Sequence, residues 1–113
     1  MSDPARLSLQ IHGEGDEAMV RCSGKLVAGV TETLVDETRP LIKSYRRVVL
    51  DLSDLTQMDS MGLGAIVRLL VSARSAGCSL ELINLSKRVR ELFGITHLLS
   101  AFEACGEQRH RLP

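Results

Sequence analysis

The 113-residue sequence has no excess of either charge: Lys plus Arg number 14, Asp plus Glu number 14, and the formal net charge is zero. Chains that neutralise phosphates carry a basic surplus, so nucleic acid is not an expected partner. No apolar run approaches the length of a membrane span, and the opening M-S-D-P-A-R lacks the apolar stretch of a secretory signal. A soluble, cytoplasmic protein without direct membrane insertion is therefore expected. The three cysteines, Cys22, Cys78 and Cys105, are odd in number, far apart and without a C-x-x-C pair. They read as reduced thiols, Cys22 and Cys78 as small buried hydrophobes, and not as a disulfide framework. Together with His12, His97 and His110 they show no metal-ligand spacing, so no metal or other cofactor is expected. Internal repeats and linkers are missing as well. What is present is ordinary globular composition, 44% hydrophobic and 25% charged, at a length that supports one hydrophobic core and so one domain over 1–113.

Strand and helix patterns alternate along the chain. Leu7, Leu9 and Ile11 alternate with polar residues, H-G-E-G-D-E at 12–17 is turn chemistry, and Ala18, Val20 and Cys22 resume the alternation. That is an opening antiparallel β-hairpin, whose outer edge is a place where a weak homodimer could form. From about Val27 to Lys43, Val27, Val30, Leu34 and Leu41 share a helical face, with Pro40 expected to kink the helix or split off its last turn. Val48, Val49 and Leu50 form the continuous apolar run of a strand buried on both faces. Met61 to Ala76 predicts a second long helix closed by Gly77. Leu80, Leu82, Ile83 and Leu85 form another strand. Ser86 caps a third helix with Val89, Leu92 and Phe93 facing inward and Gly94 ending it. The order ββαβαβα predicts an α/β fold: a mixed sheet, antiparallel in the first hairpin and otherwise parallel, with helices packed mainly on one face.

The segment that calls for chemistry is M-D-S-M-G-L-G, residues 58–64. Asp59 and Ser60 both suit the N-cap of the second helix, and that is the plainer reading of the pair. Gly62 and Gly64, however, sit in the helix's first turns, where each costs about 1 kcal/mol against Ala. Such glycines are accepted where a smooth surface or a close backbone approach is needed. A serine at a helix N-terminus is also a favourable phosphate carrier, because free N–H groups and the positive dipole end stabilise the dianion. A hydrolase nucleophile at Ser60 is disfavoured: the first glycine of G-x-S-x-G is missing, and the three histidines fall in a hairpin, after the third helix and in the tail. Asp51, ending V-V-L-D, resembles the phosphoacceptor strand of a response-regulator receiver. The paired acids after the first strand and the late lysine are missing, and Asp51 reads as a solvated or capping carboxylate.

Three segments in order, S-G-K-L after the second strand, V-V-L-D-L-S-D-L-T-Q-M-D-S-M-G-L-G in the middle and N-L-S-K-R-V-R-E-L-F-G-I-T-H-L-L near the end, resemble the STAS domain, the anti-sigma factor antagonist module. The resemblance spans about 7–103, leaving 104–113 as a frayed tail. It implies a binding module and not an enzyme. Its serine is phosphorylated by a GHKL-type anti-sigma factor kinase and restored by a PP2C-type phosphatase, and the unphosphorylated form sequesters the anti-sigma factor. Carried onto this chain, Ser60 is the acceptor, and Asp59, Met61, Gly62, Leu63 and Gly64 form the docking lip. Where such antagonists commonly read G-E-[L/I]-D this chain has Gly24-Lys25-Leu26-Val27, so Lys25 and Val27 alter the partner surface, and Met61 replaces the usual small residue after the serine. The resemblance also admits another role, a constitutive STAS subunit such as those on the ATPase of lipid ABC transporters.

Overall fold

The computed structural model describes residues 6–87 and 89–91. Two antiparallel strands, β1 (Ser8–Glu14) and β2 (Glu17–Leu26), are followed by helix α1 (Thr31–Ser44), strand β3 (Arg47–Met58), helix α2 (Ser60–Ala76) and strand β4 (Ser79–Ile83). The sheet order is β1-β2-β3-β4, with β2, β3 and β4 parallel. This is the expected mixed sheet, and each parallel step is bridged by one helix as a crossover requires.

Period-two alternation decides which side of each strand is covered. Ala18, Val20 and Cys22 of β2, Val48, Leu50 and Leu52 of β3, and Leu80 and Leu82 of β4 meet Leu34, Val35 and Ile42 of α1 and Leu63, Ile66, Leu69 and Leu70 of α2 in one buried cluster. Both helices therefore lie on the same face, bridged at their surface by a two-pronged ion pair from Arg68 to Glu32, at 2.8 and 3.2 Å. Burial pushes the Cys22 thiol up to about 12, as befits a small apolar residue of the core.

The opposite face of the sheet is charged and paired. Arg47 lies 3.4 Å from Glu17 and 2.9 Å from Glu81, whose side chain is only 4% exposed. Asp51 is buried there beside Val49 and accepts from the Ser53 N–H at 3.0 Å and from Asn84 Nδ2 at 3.2 Å, with Arg21 3.8 Å away. Burial alone would raise its carboxyl, but the hydrogen bonds from Ser53 and Asn84 and the Arg21 charge hold it below the usual range. The solvated or capping role expected for Asp51 is thus corrected: it is a buried fastener that ties β3 to the turn after β4.

Other expectations also shift. Ile11 of β1 is 43% exposed, on the outermost of the described strands, whereas Leu9 still packs against the core. Helix α1 begins at Thr31, since Val27–Val30 close a turn through Val30 N–H to the Val27 carbonyl at 3.1 Å. Pro40 neither ends nor splits α1; its exposed position leaves the carbonyl one turn earlier open to water. Ser86 begins the expected third helix, its Oγ accepting from Val89 N–H at 3.2 Å. Leu92, Phe93, Gly94, His97 and the tail lie outside the described residues.

Strand β3 is much longer than its apolar run. The last β4 partner is Ile83 opposite Asp51, and the first β1 residue, Ser8, pairs with Ser23. Past those points β2 and β3 continue together from Ser23↔Asp54 to Leu26↔Met58, with one register shift just before Ser23 and a second between Gly24 and Lys25. The result is a two-stranded tip, and α2 starts at its end.

Candidate partner-binding site

Chain direction reverses at the tip, and one carboxylate holds the reversal. Asp59 has extended backbone (φ −113°, ψ −175°) and is the N-cap of α2. Its Oδ1 accepts from Gly62 N–H at 2.9 Å, satisfying one of the donors a helix start leaves free. Its Oδ2 accepts from Ala28 N–H at 3.0 Å, in the loop between β2 and α1. Its own N–H points to the Leu26 carbonyl at 3.4 Å. These donors, Ala28 first and Gly62 next, hold the Asp59 carboxyl below its usual range. The side chain fixes two backbone segments whose sequence separation is about thirty residues.

Gly62 follows from the same junction. A Cβ there would run into the carbonyl oxygen of Leu26 and lie 2.9 Å from both its carbonyl carbon and its Cγ. The absence of a side chain lets α2 seat directly on the end of β2. Gly64 is different: nothing lies within 4 Å of where its Cβ would be, and it is exposed.

The two cap candidates separate cleanly. Asp59 takes the cap, and Ser60, the first residue of α2, is exposed; no hydrogen bond of its hydroxyl is found among the described residues. Next to it Met61 is 58% exposed. Lys25 and Val27 are half-buried on the tip and in the adjoining loop, Lys25 opposite Gln57. Thr56 Oγ1 donates to the Gly24 carbonyl at 3.1 Å and braces the tip from the β3 side. Leu63 is 4% exposed and belongs to the core. The structure thus brings Ser60, Met61 and Gly64 to the surface of α2's first turns, sets Asp59, Lys25 and Val27 around them, and turns Gly62 and Leu63 inward.

Sequence reasoning did not find Ala28 and Leu26, because they act through main-chain N–H and C=O groups that leave no trace in residue type. Thr56 carried a faint signal, a hydroxyl-bearing residue between polar neighbours. His12 lies at the hairpin end of β1, 3.8 Å from Glu14, away from Ser60. Among the described residues no group of three or more His, Cys, Asp or Glu is placed to hold a metal ion, and no helix is long and apolar enough to cross a membrane.

The arrangement leaves an exposed hydroxyl at the positive end of a helix. Residues 8–109 match the model of the STAS domain family. A putative anti-sigma factor antagonist homologue of Thermotoga neapolitana is 40% identical over 58 residues, and the match spans 51% of each chain, about half the length of that relative. The anti-sigma-B factor antagonist of Bacillus subtilis is 29% identical over 92 residues, covering 81% of this chain and 84% of the relative. The fold is also that of the Bacillus anti-sigma factor antagonist SpoIIAA. Its unphosphorylated form superposes with a TM-score of 0.70 at 20% identity over 80% of this chain and 82% of the other. Its phosphorylated form gives 0.67 at 19% over 82% and 86%.

Proposed function

The chain belongs to the STAS domain family, and from that membership we propose that it is an anti-sigma factor antagonist whose grip on its partner is controlled by phosphorylation of Ser60. Unphosphorylated, it binds an anti-sigma factor that is also a GHKL-type serine kinase, and so releases a sigma factor for transcription. The kinase transfers the γ-phosphoryl of ATP to Ser60 Oγ, with loss of ADP and the hydroxyl proton, and a PP2C-type phosphatase returns the hydroxyl by hydrolysis. The protein itself is the binding module and substrate of these reactions.

The observation that carries the reading is the division of labour at residues 59 and 60. A serine that capped α2 would have its oxygen engaged and its phosphorylation would unmake the helix start. With Asp59 as cap, the Ser60 hydroxyl is exposed and can be modified without disturbing the junction. Phosphate adds about −1.5 to −2 charges. Switching a partner from mostly bound to mostly free needs about 5.5 kcal/mol of differential affinity. Pressing a dianion against a surface made of Met61 and Gly64, with Lys25 on the adjoining tip, desolvates charge, a cost of the right order. The names of the relatives, and the existence of SpoIIAA in both phosphorylation states, support the same reading.

The test is the intact mass of the protein purified from its native cells, beside Ser60→Ala. A mass gain of one phosphate that vanishes in Ser60→Ala supports the switch. A competing role as a constitutive STAS subunit, for instance on the ATPase of a lipid transporter, draws on the exposed thioether of Met61 and on Val27 where the family carries an acid. No phosphate in growing or stressed cells would favour that role and discard the switch.

A further inference from the structure

Among the described residues the outer edge of β1 has no strand paired to it. All seven residues pair one-to-one with β2 without a register shift, and the strand contains neither Pro nor Lys, the residues that commonly blunt an edge. The backbone parity of this edge follows from its turn. Gly15 and Asp16 form a two-residue connection with Gly15 at φ +60°, a geometry in which the flanking Glu14 and Glu17 are a hydrogen-bonded pair. In an antiparallel ladder the groups alternate. Ser8, Gln10, His12 and Glu14 therefore turn their N–H and C=O toward β2, and Leu9, Ile11 and Gly13 turn theirs outward.

We propose that β1 is a homodimer interface in which a second copy of this chain adds its own β1 antiparallel about a two-fold axis through Ile11. That axis pairs Ile11 with Ile11 of the second copy and Leu9 with Gly13 of the second copy, so each outward-facing donor and acceptor meets its complement. The side chains agree with the register. On the helix-side face, Ile11, 43% exposed in one copy, meets its mate and is flanked by Leu9, while Gly13 opposite Leu9 is covered by the Tyr45 side chain, against which Leu9 of the second copy packs. On the other face Gln10 lies opposite His12, and Ser8 opposite Glu14. Tyr45, packed over Gly13, closes the hairpin end of the ribbon. A single shift in register would put outward-facing N–H groups against N–H groups and would place Glu14 against an apolar residue. The dimer is a continuous eight-stranded sheet, and it requires nothing of Ser60.

Sedimentation equilibrium of the full chain from micromolar to millimolar concentration tests the edge. A reversible monomer–dimer equilibrium is expected. Ile11→Lys, at a position exposed enough to leave the fold intact by circular dichroism, sets like charges against each other at the axis and should raise the dimer dissociation constant at least about tenfold. Register is read by cross-linking. Mild oxidation of Ile11→Cys should give a covalent dimer through the introduced thiols, because the paired Cα atoms lie about 5.5 Å apart, and peptide mapping separates this bond from one at a native cysteine. Ser8→Cys should remain unlinked. A chain that stays monomeric at millimolar concentration overturns the proposal, as does a dimer indifferent to Ile11→Lys or one that cross-links through Ser8→Cys.

Discussion

Gly62 and Gly64 stand two residues apart in the same helix, and replacing each by Ala should move stability in opposite directions. Alanine gains about 1 kcal/mol over glycine in a helix interior at either position. At Gly64 nothing opposes the gain, because the added methyl enters open space. Gly64→Ala should stabilise by about 0.5–1 kcal/mol. At Gly62 the methyl meets the Leu26 carbonyl group and Leu26 Cγ. The carbonyl is backbone in a paired strand and cannot swing aside, so relief requires sliding α2 off β2. Overpacking of this kind costs about 1–3 kcal/mol, and the slide also strains the cap bond from Gly62 N–H to Asp59, worth about 1 kcal/mol. Set against the helical gain, a net loss of about 1–3 kcal/mol is expected for Gly62→Ala. Urea unfolding followed by circular dichroism measures both. With a slope of about 1–3 kcal/mol per molar urea, the two variants should differ in midpoint by about 1 M or more. Coincident midpoints, or a Gly62→Ala protein more stable than the parent, would refute the close approach between α2 and β2.

Asp59→Ala removes a cap and a loop tie together and should cost about 1–2 kcal/mol, read from the same urea curves. Its amide signature is loss of hydrogen-exchange protection at both Ala28 and Gly62. Because the folded carboxyl of Asp59 lies below its unfolded value, its contribution is present above the ordinary carboxylate range near about pH 4 and is lost as pH falls through the depressed folded value. A thermal-stability profile from pH 7 to pH 2 should therefore be flatter at its acid end in Asp59→Asn than in the parent. Asp51 shifts in the same direction and will leave part of the acid slope in place in that variant. Cys22 and Cys78 are buried, and with the Cys22 thiol raised to about 12 neither should react with a thiol reagent at pH 8 until the chain is unfolded; prompt labelling of Cys22 in the native protein would contradict the packing of β2. Phosphorylated Ser60, if made, should leave circular dichroism unchanged and confine amide shifts to the first turns of α2 and the loop at residue 28. Shifts across β4 would contradict a local switch.

The parts of the structure that were legible in the sequence are those where one physical signal dominates. Helix α2 announces itself through a long apolar run and a left-handed glycine at its end (φ 72° at Gly77). The buried character of Val48, Val49 and Leu50 was legible because β3 is covered on both sides. The second half of β3 was hidden: S-D-L-T-Q alternates imperfectly, since only β2 pairs with it and most of its residues face solvent. Leu9 and Ile11 alternate as core residues would, yet on an edge strand only Leu9 reaches the core and Ile11 is left open, and no local pattern reports sheet position. Residue type placed Ser60 and Asp59 at the helix start but could not tell the cap from its exposed neighbour. That division depended on Ala28 and Leu26, which contribute only main-chain groups.

The two-stranded tip past Ser23 and Asp54 has an evolutionary consequence. The core residues that hold the sheet to the helices lie mainly below it, and the tip's own surface positions, Lys25, Val27, Gln57 and Met61, are open or half-open. Such positions can be exchanged nearly neutrally for stability, so that a duplicated gene could drift to a new partner by altering a handful of codons at one end of the domain. This also makes the tip a natural place to transplant recognition: residues 24–28 and 56–62 could be moved between paralogues as a cassette, which carries Asp59 and Gly62 with it to close the joint.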